Sequence, residues 1–246
     1  MATARPARLR TKQNIFMEKT TVFNLIILDE SGSMSPLSRQ TVDGCNETLN
    51  VIRSLQKKHG DTQRNLVSIF LFQDNEEIPS RYVCKNNPIE KTANLTPETY
   101  KPWGCTPLLD AVGSTLVDLR AVASTHEDAT GIVTIITDGM ENSSKEYSWQ
   151  QVADMISKMK EEGWTFNFIG ANIDVDAVSK KMNIDNALVF NASQAGTKEM
   201  WNDFSENLCA HEDARIQREC CMPVASREER VKLRKSMSMG FFKSKK

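Results

Sequence analysis

No stretch of this 246-residue chain approaches the roughly 18 consecutive apolar residues that would span a membrane. Its first residues also lack the apolar core of a secretory signal. Neither sign of charge is in excess: 31 lysines and arginines face 32 aspartates and glutamates, a net of -1. Attraction of the whole surface to nucleic acid or to an anionic membrane is therefore excluded, and only local patches could supply it. Histidine is scarce, with only His59, His126 and His211. The six cysteines (Cys45, Cys84, Cys105, Cys209, Cys220 and Cys221) include no C-x-x-C pair. That spacing suggests no zinc site and makes reduced thiols in a cytoplasmic protein the expectation. No G-x-x-x-x-G-K-[ST] loop occurs, so any nucleotide hydrolysis would come from elsewhere.

What the chain does have is material for a core. With 39% hydrophobic residues it can bury roughly 70 to 75% of its unfolded surface, enough for one large domain and not for two. Apolar runs at Val22 to Leu28, Leu66 to Phe72, Gly131 to Thr137, Phe166 to Ile169 and Ala187 to Phe190 read as strands. Between them, apolar residues recur at three and four, as in Val42, Cys45, Leu49, Ile52 and Leu55, or Leu108, Val112, Leu116, Leu119 and Val122. Further helices are predicted on Val152 to Met159, Val175 to Met182 and Met200 to Leu208. This alternation predicts an α/β fold: a Rossmann-like, doubly wound, mostly parallel sheet with helices on both faces. The shorter segment Ile78 to Cys84 is expected as one antiparallel edge strand, and the proline-bearing stretch Lys85 to Trp103 as a long surface loop. Ser35 is the expected N-cap of the first helix with Pro36 at its first position, and Gly60 its end.

The limits of the domain are set by composition. Residues 1–17 carry Arg5, Arg8, Arg10 and Lys12 with no acid and no serine, and read as a disordered basic arm rather than a transit peptide. Residues 18–208 form the domain. Residues 209–246 read as a polar, then basic, tail in which Arg230, Lys232, Arg234, Lys235, Lys243, Lys245 and Lys246 alternate with apolar residues that fit no helix face; a solvated end is expected there.

The chemistry sits at strand ends. Asp29-Glu30-Ser31-Gly32-Ser33 follows the first strand, Gly104-Cys105-Thr106-Pro107-Leu108 opens the second helix, and Thr137-Asp138-Gly139 closes the third parallel strand. In open α/β sheets such positions face the crevice outside the carboxyl ends of the strands. Taken singly, each has a plainer explanation: serines before a proline cap a helix, Thr106 is a good N-cap, and Asp-Gly is an ordinary turn. Glu30 and Glu141 are expected to be solvated at the rim, and Asp110 to favour the start of its helix.

Together the three motifs resemble the metal-ion-dependent adhesion site of the von Willebrand factor A family, over roughly Thr20 to Leu208, with Cys105 where relatives often have glycine. The resemblance implies a metal-dependent protein-binding module. Asp29, Ser31, Ser33, Thr106 and Asp138 would hold Mg2+ or Mn2+, a hard cation suited to oxygen ligands. Ser31 and Ser33 would bind directly, Asp29 and Asp138 largely through water, and Thr106 when a partner is engaged. The partner would be a protein presenting an acidic residue, within a larger assembly that in some relatives includes an AAA+ ATPase. Relatives also couple binding to displacement of the last helix, here Met200 to Leu208.

Enzymes fare worse. A haloacid-dehalogenase phosphatase needs a second acid where Ser31 stands, a receiver domain needs a lysine near Gly170-Ala171-Asn172, and a serine-hydrolase elbow needs glycines at 29 and 33. No histidine lies in a crevice loop. A non-enzymatic module is the expectation, with a magnesium-dependent hydrolase using the same ion as Lewis acid as the alternative.

Overall fold

A computed structural model describes residues 19–222 and 225–242; the predicted basic arm and Lys243, Lys245 and Lys246 lie outside the described residues. The sheet has six strands: β1 (Thr20–Asp29), β2 (Gln63–Asp74), β3 (Pro79–Pro88), β4 (Ala129–Thr137), β5 (Thr165–Gly170) and β6 (Asn186–Val189). Their spatial order is β3-β2-β1-β4-β5-β6, parallel throughout except for β3, which runs antiparallel to β2 at the edge. This is the predicted doubly wound architecture. All ten residues of β1 are buried, because it lies between β2 and β4 and is covered on both faces.

The two faces carry separate cores. Phe23, Leu25 and Ile27 point to one, packed with Leu108, Val112 and Leu116 of α2 (Leu108–Ala123) and with Val152 and Ile156 of α3 (Trp149–Glu161), near the short α4 (Val175–Lys181). Ile26 and Leu28 point to the other, against Cys45, Leu49 and Ile52 of α1 (Ser38–His59) and Met200, Trp201, Phe204 and Leu208 of α5 (Gln194–Cys220). The helices α1 and α5 touch closely at Gly44, where an added Cβ would fall 2.1 Å from Cγ of Trp201.

Three expectations are corrected. The stretch Lys85 to Trp103 is not a surface loop throughout, since β3 continues to Pro88, Ile89–Lys91 form a 3-10 turn, and Ile89, Leu95 and Tyr100 are buried. The chain after β1 does not enter a helix capped by Ser35: residues Gly32–Leu37 form a 3-10 turn with Pro36 inside it, and α1 starts only at Ser38, without a side-chain cap. The tail is also not a loose solvated end where it is described, but helical and partly packed on the domain. Helix α5 runs twelve residues past Leu208, burying Glu212, Arg215 and Ile216, and α6 (Arg227–Met237) opens with a Ser226/Glu229 capping box. Arg215 is bonded to Glu212, Glu219 and Gln63, and Arg234 of α6 to Asp128 and Glu219. Phe241 then packs on Phe204 and His211, with ring centres 6.0 and 5.2 Å away.

Candidate metal centre

Asp29 and Thr137 end adjacent parallel strands, with Leu28 paired to Ile136 in register, at the point where the chain leaves β1 to one side and β4 to the other. This is the topological switch of an open sheet. The Asp29 carboxylate accepts the amide of Ser31 at 2.7 Å and the hydroxyl of Thr137 at 2.5 Å. The 3-10 turn brings Ser31 Oγ within 3.1 Å of Ser33 Oγ, and Ser33 Oγ donates to Asp138 Oδ1 at 2.5 Å.

Thr106 arrives from a third loop, its amide donating to Asn142 Oδ1 at 2.8 Å. A Cβ placed on Gly139 would lie 2.8 Å from Thr106 Oγ1, 3.6 Å from Asp29 Oδ2 and 3.7 Å from Ser33 Oγ. Oxygens of the Asp29 and Thr106 loops thus converge around one point on the loop after β4 that a side chain at 139 would fill, and Asp138 joins them through Ser33. The five residues named from sequence meet in a single crevice; Asp29, Ser31, Thr106 and Asp138 are buried and Ser33 is exposed.

The electrostatics of the crevice call for a positive charge. Burial pushes the Asp29 carboxyl up to about 6, against the hydrogen bonds of Thr137 and Ser31 and helped by the charge of Asp138. Burial likewise raises Asp138 against the Ser33 hydrogen bond. Among the described residues no lysine or arginine is ion-paired to either carboxylate, and no group of three or more His, Cys, Asp or Glu side chains is placed to hold a metal. The donor set here is different: two carboxylates and three hydroxyls, all oxygen, a set that fits a hard divalent cation and offers nothing to a soft one.

The plainer explanations of the motifs do not describe what these side chains do. Neither Ser31 nor Ser35 caps α1, and Pro107 rather than Thr106 stands before α2. The helix amide at Leu109 is instead satisfied by Glu141 Oε2 at 2.9 Å, and Glu141 also accepts from Ser143 and Ser144. Glu141 is therefore a tie between the third loop and α2, not a solvated rim residue. Asp110 does similar work, accepting the amides of Lys145, Glu146 and Tyr147. Glu30 departs most from expectation: it is 0% exposed, bound by Arg81 at 2.6 Å. No local sequence signal marks it, because Arg81 lies 51 positions away.

The three histidines are elsewhere. His59 Nε2 is 2.8 Å from Asp213 Oδ1, His126 stands edge-on to Phe23, and His211 contacts Phe241. At the rim, two large apolar side chains face solvent, Trp103 at 67% and Met140 at 68% exposure, one on the loop of Thr106 and one on that of Asp138. Among the described residues no helix is long and apolar enough to cross a membrane.

No family model and no curated protein matches this chain. Solved structures do. A von Willebrand factor type A protein from Catenulispora acidiphila superposes with a TM-score of 0.50 at 16% identity, covering 78% of this chain and 43% of its own. Proximal thread matrix protein 1 of the mussel byssus, described with a zinc-occupied MIDAS motif, gives 0.50 at 12% identity, over 78% and 46%. The pilus adhesin SpaC of Lactobacillus rhamnosus GG gives 0.57 at 11% identity, over 80% and 31%. This chain spans less than half the length of each. At these identities the likeness concerns architecture, and it agrees with the strand order and the antiparallel edge: the chain has a von Willebrand factor A-like α/β fold.

Proposed function

We propose that this chain is a metal-dependent protein-binding module, in which Asp29, Ser31, Ser33, Thr106 and Asp138 hold Mg2+ or Mn2+. The observation that carries the reading is the pair of buried carboxylates facing three hydroxyls with no cationic side chain between them. Asp29 and Asp138 supply the charge; the three hydroxyls supply neutral oxygens. A bound divalent ion supplies an open coordination position for a carboxylate oxygen of the partner. Because hydroxyls donate little charge, the acidic residue of the partner gains a desolvated contact worth about 2 to 5 kcal/mol, by analogy with buried charge pairs at interfaces. Trp103 and Met140 then contact the partner around that residue. The zinc-occupied motif of the byssal protein supports the choice of a cation-holding crevice on this fold.

The module is read as non-enzymatic, since all three histidines are engaged away from the crevice and the base that faces a site hydroxyl, Asp138 on Ser33 Oγ, is itself proposed as a ligand of the ion. A cytoplasmic setting is proposed from the cysteines, all six of which are unpaired. The test is Mn2+ titration by calorimetry, followed by capture from source lysate in magnesium or chelator. Wild type should bind one ion and retain a protein only with metal, while Asp138→Ala binds neither. Thr106→Ala should weaken ion binding by about tenfold and lose the protein. Equal capture in chelator would refute the mode of binding, and release of phosphate from a phosphoester would refute its non-enzymatic character.

A further inference from the structure

Glu30 carries a buried charge one residue from Asp29 and outside the crevice itself. Arg81 of β3 grips it with two nitrogens, Nη1 at 2.6 Å from Oε2 and Nη2 at 3.0 Å from Oε1, and Gln73 Nε2 adds a third bond at 2.9 Å. The remaining capacity of the carboxylate goes to the loop of Thr106: the Lys101 amide donates to Oε1 at 2.6 Å. Backbone bonds run alongside. The Trp103 amide donates to the Glu30 carbonyl at 2.8 Å, the Gly32 amide to the Gly104 carbonyl at 3.1 Å, and the Tyr100 hydroxyl to the Asp29 carbonyl at 2.7 Å. Arg81 holds the same loop directly, donating to the Thr99 carbonyl at 2.7 Å. One ion pair therefore ties the serine loop, the threonine loop and the edge strand together.

We propose that Glu30 and Arg81 are positioning residues that hold Thr106 in register with Ser31 and Ser33, so that the edge strand β3 sets the affinity of the crevice for a divalent ion. The proposal rests on the metal reading above. Arg81 has a second effect: it neutralises Glu30 in place, so that this carboxylate neither swings toward the crevice nor weakens the pull of an ion on a partner's acid. Partners that orient ligands from behind commonly matter to metal affinity by about 10- to 100-fold. A buried carboxylate stripped of its cation is worse than a neutral group of the same shape. That difference gives the proposal a sign as well as a size.

The experiment uses the full chain with Arg81→Met, Glu30→Gln and the double variant, in the cold, where circular dichroism shows each to be folded. Mn2+ affinity should fall by about 10- to 100-fold in Arg81→Met and recover most of that loss in the double variant, since a glutamine at 30 still accepts the Lys101 amide. In chelator, hydrogen exchange at the amides of Lys101 and Trp103 should accelerate in Arg81→Met and return toward wild type in the double. A pair that only stabilises the fold would lower the melting temperature and leave the Mn2+ affinity of the folded protein alone, which overturns the proposal, as does a double variant no better than the single. If wild type takes up no Mn2+, the metal reading fails separately; unchanged amide exchange in Arg81→Met would then overturn the clamp on its own.

Discussion

Gly139 shows how little room the crevice leaves. Its missing side chain would lie 2.8 Å from Thr106 Oγ1, on a short, β-branched side chain that is itself buried. Gly139→Ala should therefore destabilise by about 1 to 3 kcal/mol, the usual range for overpacking. It should weaken Mn2+ binding by about tenfold or more through the displaced hydroxyl. Thermal melts and calorimetry on one preparation separate the two, and an alanine variant with unchanged affinity would remove Thr106 from the site. At this scale the sequence was informative where a residue sits inside a local motif, as Asp29, Ser31, Ser33, Thr106 and Asp138 do. It was silent on Glu30 and Glu141, because what makes each of them structural is a partner brought near by folding, Arg81 in one case and the Leu109 amide in the other.

Among the elements, the α1 and α5 pair is the tightest contact. Gly44 lets the backbone of α1 approach the Trp201 ring, with an added Cβ only 2.1 Å from Cγ. Neither group is the end of a flexible chain, so Gly44→Ala should destabilise by about 1 to 3 kcal/mol, the usual range for overpacking. Urea unfolding measures it, and a midpoint equal to wild type would mean that the helices separate freely. Strands were legible as unbroken apolar runs and the first helices by apolar spacing of three to four, since both patterns report burial directly. The far half of α5 and the helix α6 were not, since apart from Ile216 what they bury is Glu212, Arg215 and Arg234. Charged residues satisfied by one another carry no apolar period, so a segment held by ion pairs looks like a solvated tail. The start of α1 was misjudged for another reason: Ser35 and Pro36 are good helix openers, but they serve a 3-10 turn that brings Ser31 and Ser33 together.

The whole molecule has two polar ends of opposite character. At the carboxyl ends of the strands, Asp29 and Asp138 are paired with no cation among the described residues; at the amino ends, Asp128 has Arg234 at 2.6 Å, Arg230 at 2.9 Å and the Thr20 hydroxyl at 2.7 Å. Burial alone would raise the Asp128 carboxyl, but Arg234 and its other partners outweigh it and hold it at about 2. A folded-state value below the ordinary 3.8 stabilises the protein above pH 4, and that contribution disappears as pH falls from about 4 toward 2, about 2 kcal/mol in all. Urea midpoints measured down that range should decline in wild type and decline less in Asp128→Asn, which starts lower; parallel curves would mean that Asp128 titrates normally. The tryptophans are sorted by depth across this architecture. Trp164 and Trp201 are sealed in the two cores and Trp149 is half-buried beside Lys181, whereas Trp103 stands in water on the loop that delivers Thr106. The molecule thus carries its own optical label at the crevice, an indole whose emission would shift toward the blue as a docking surface removes its water, while the others stay constant as an internal standard.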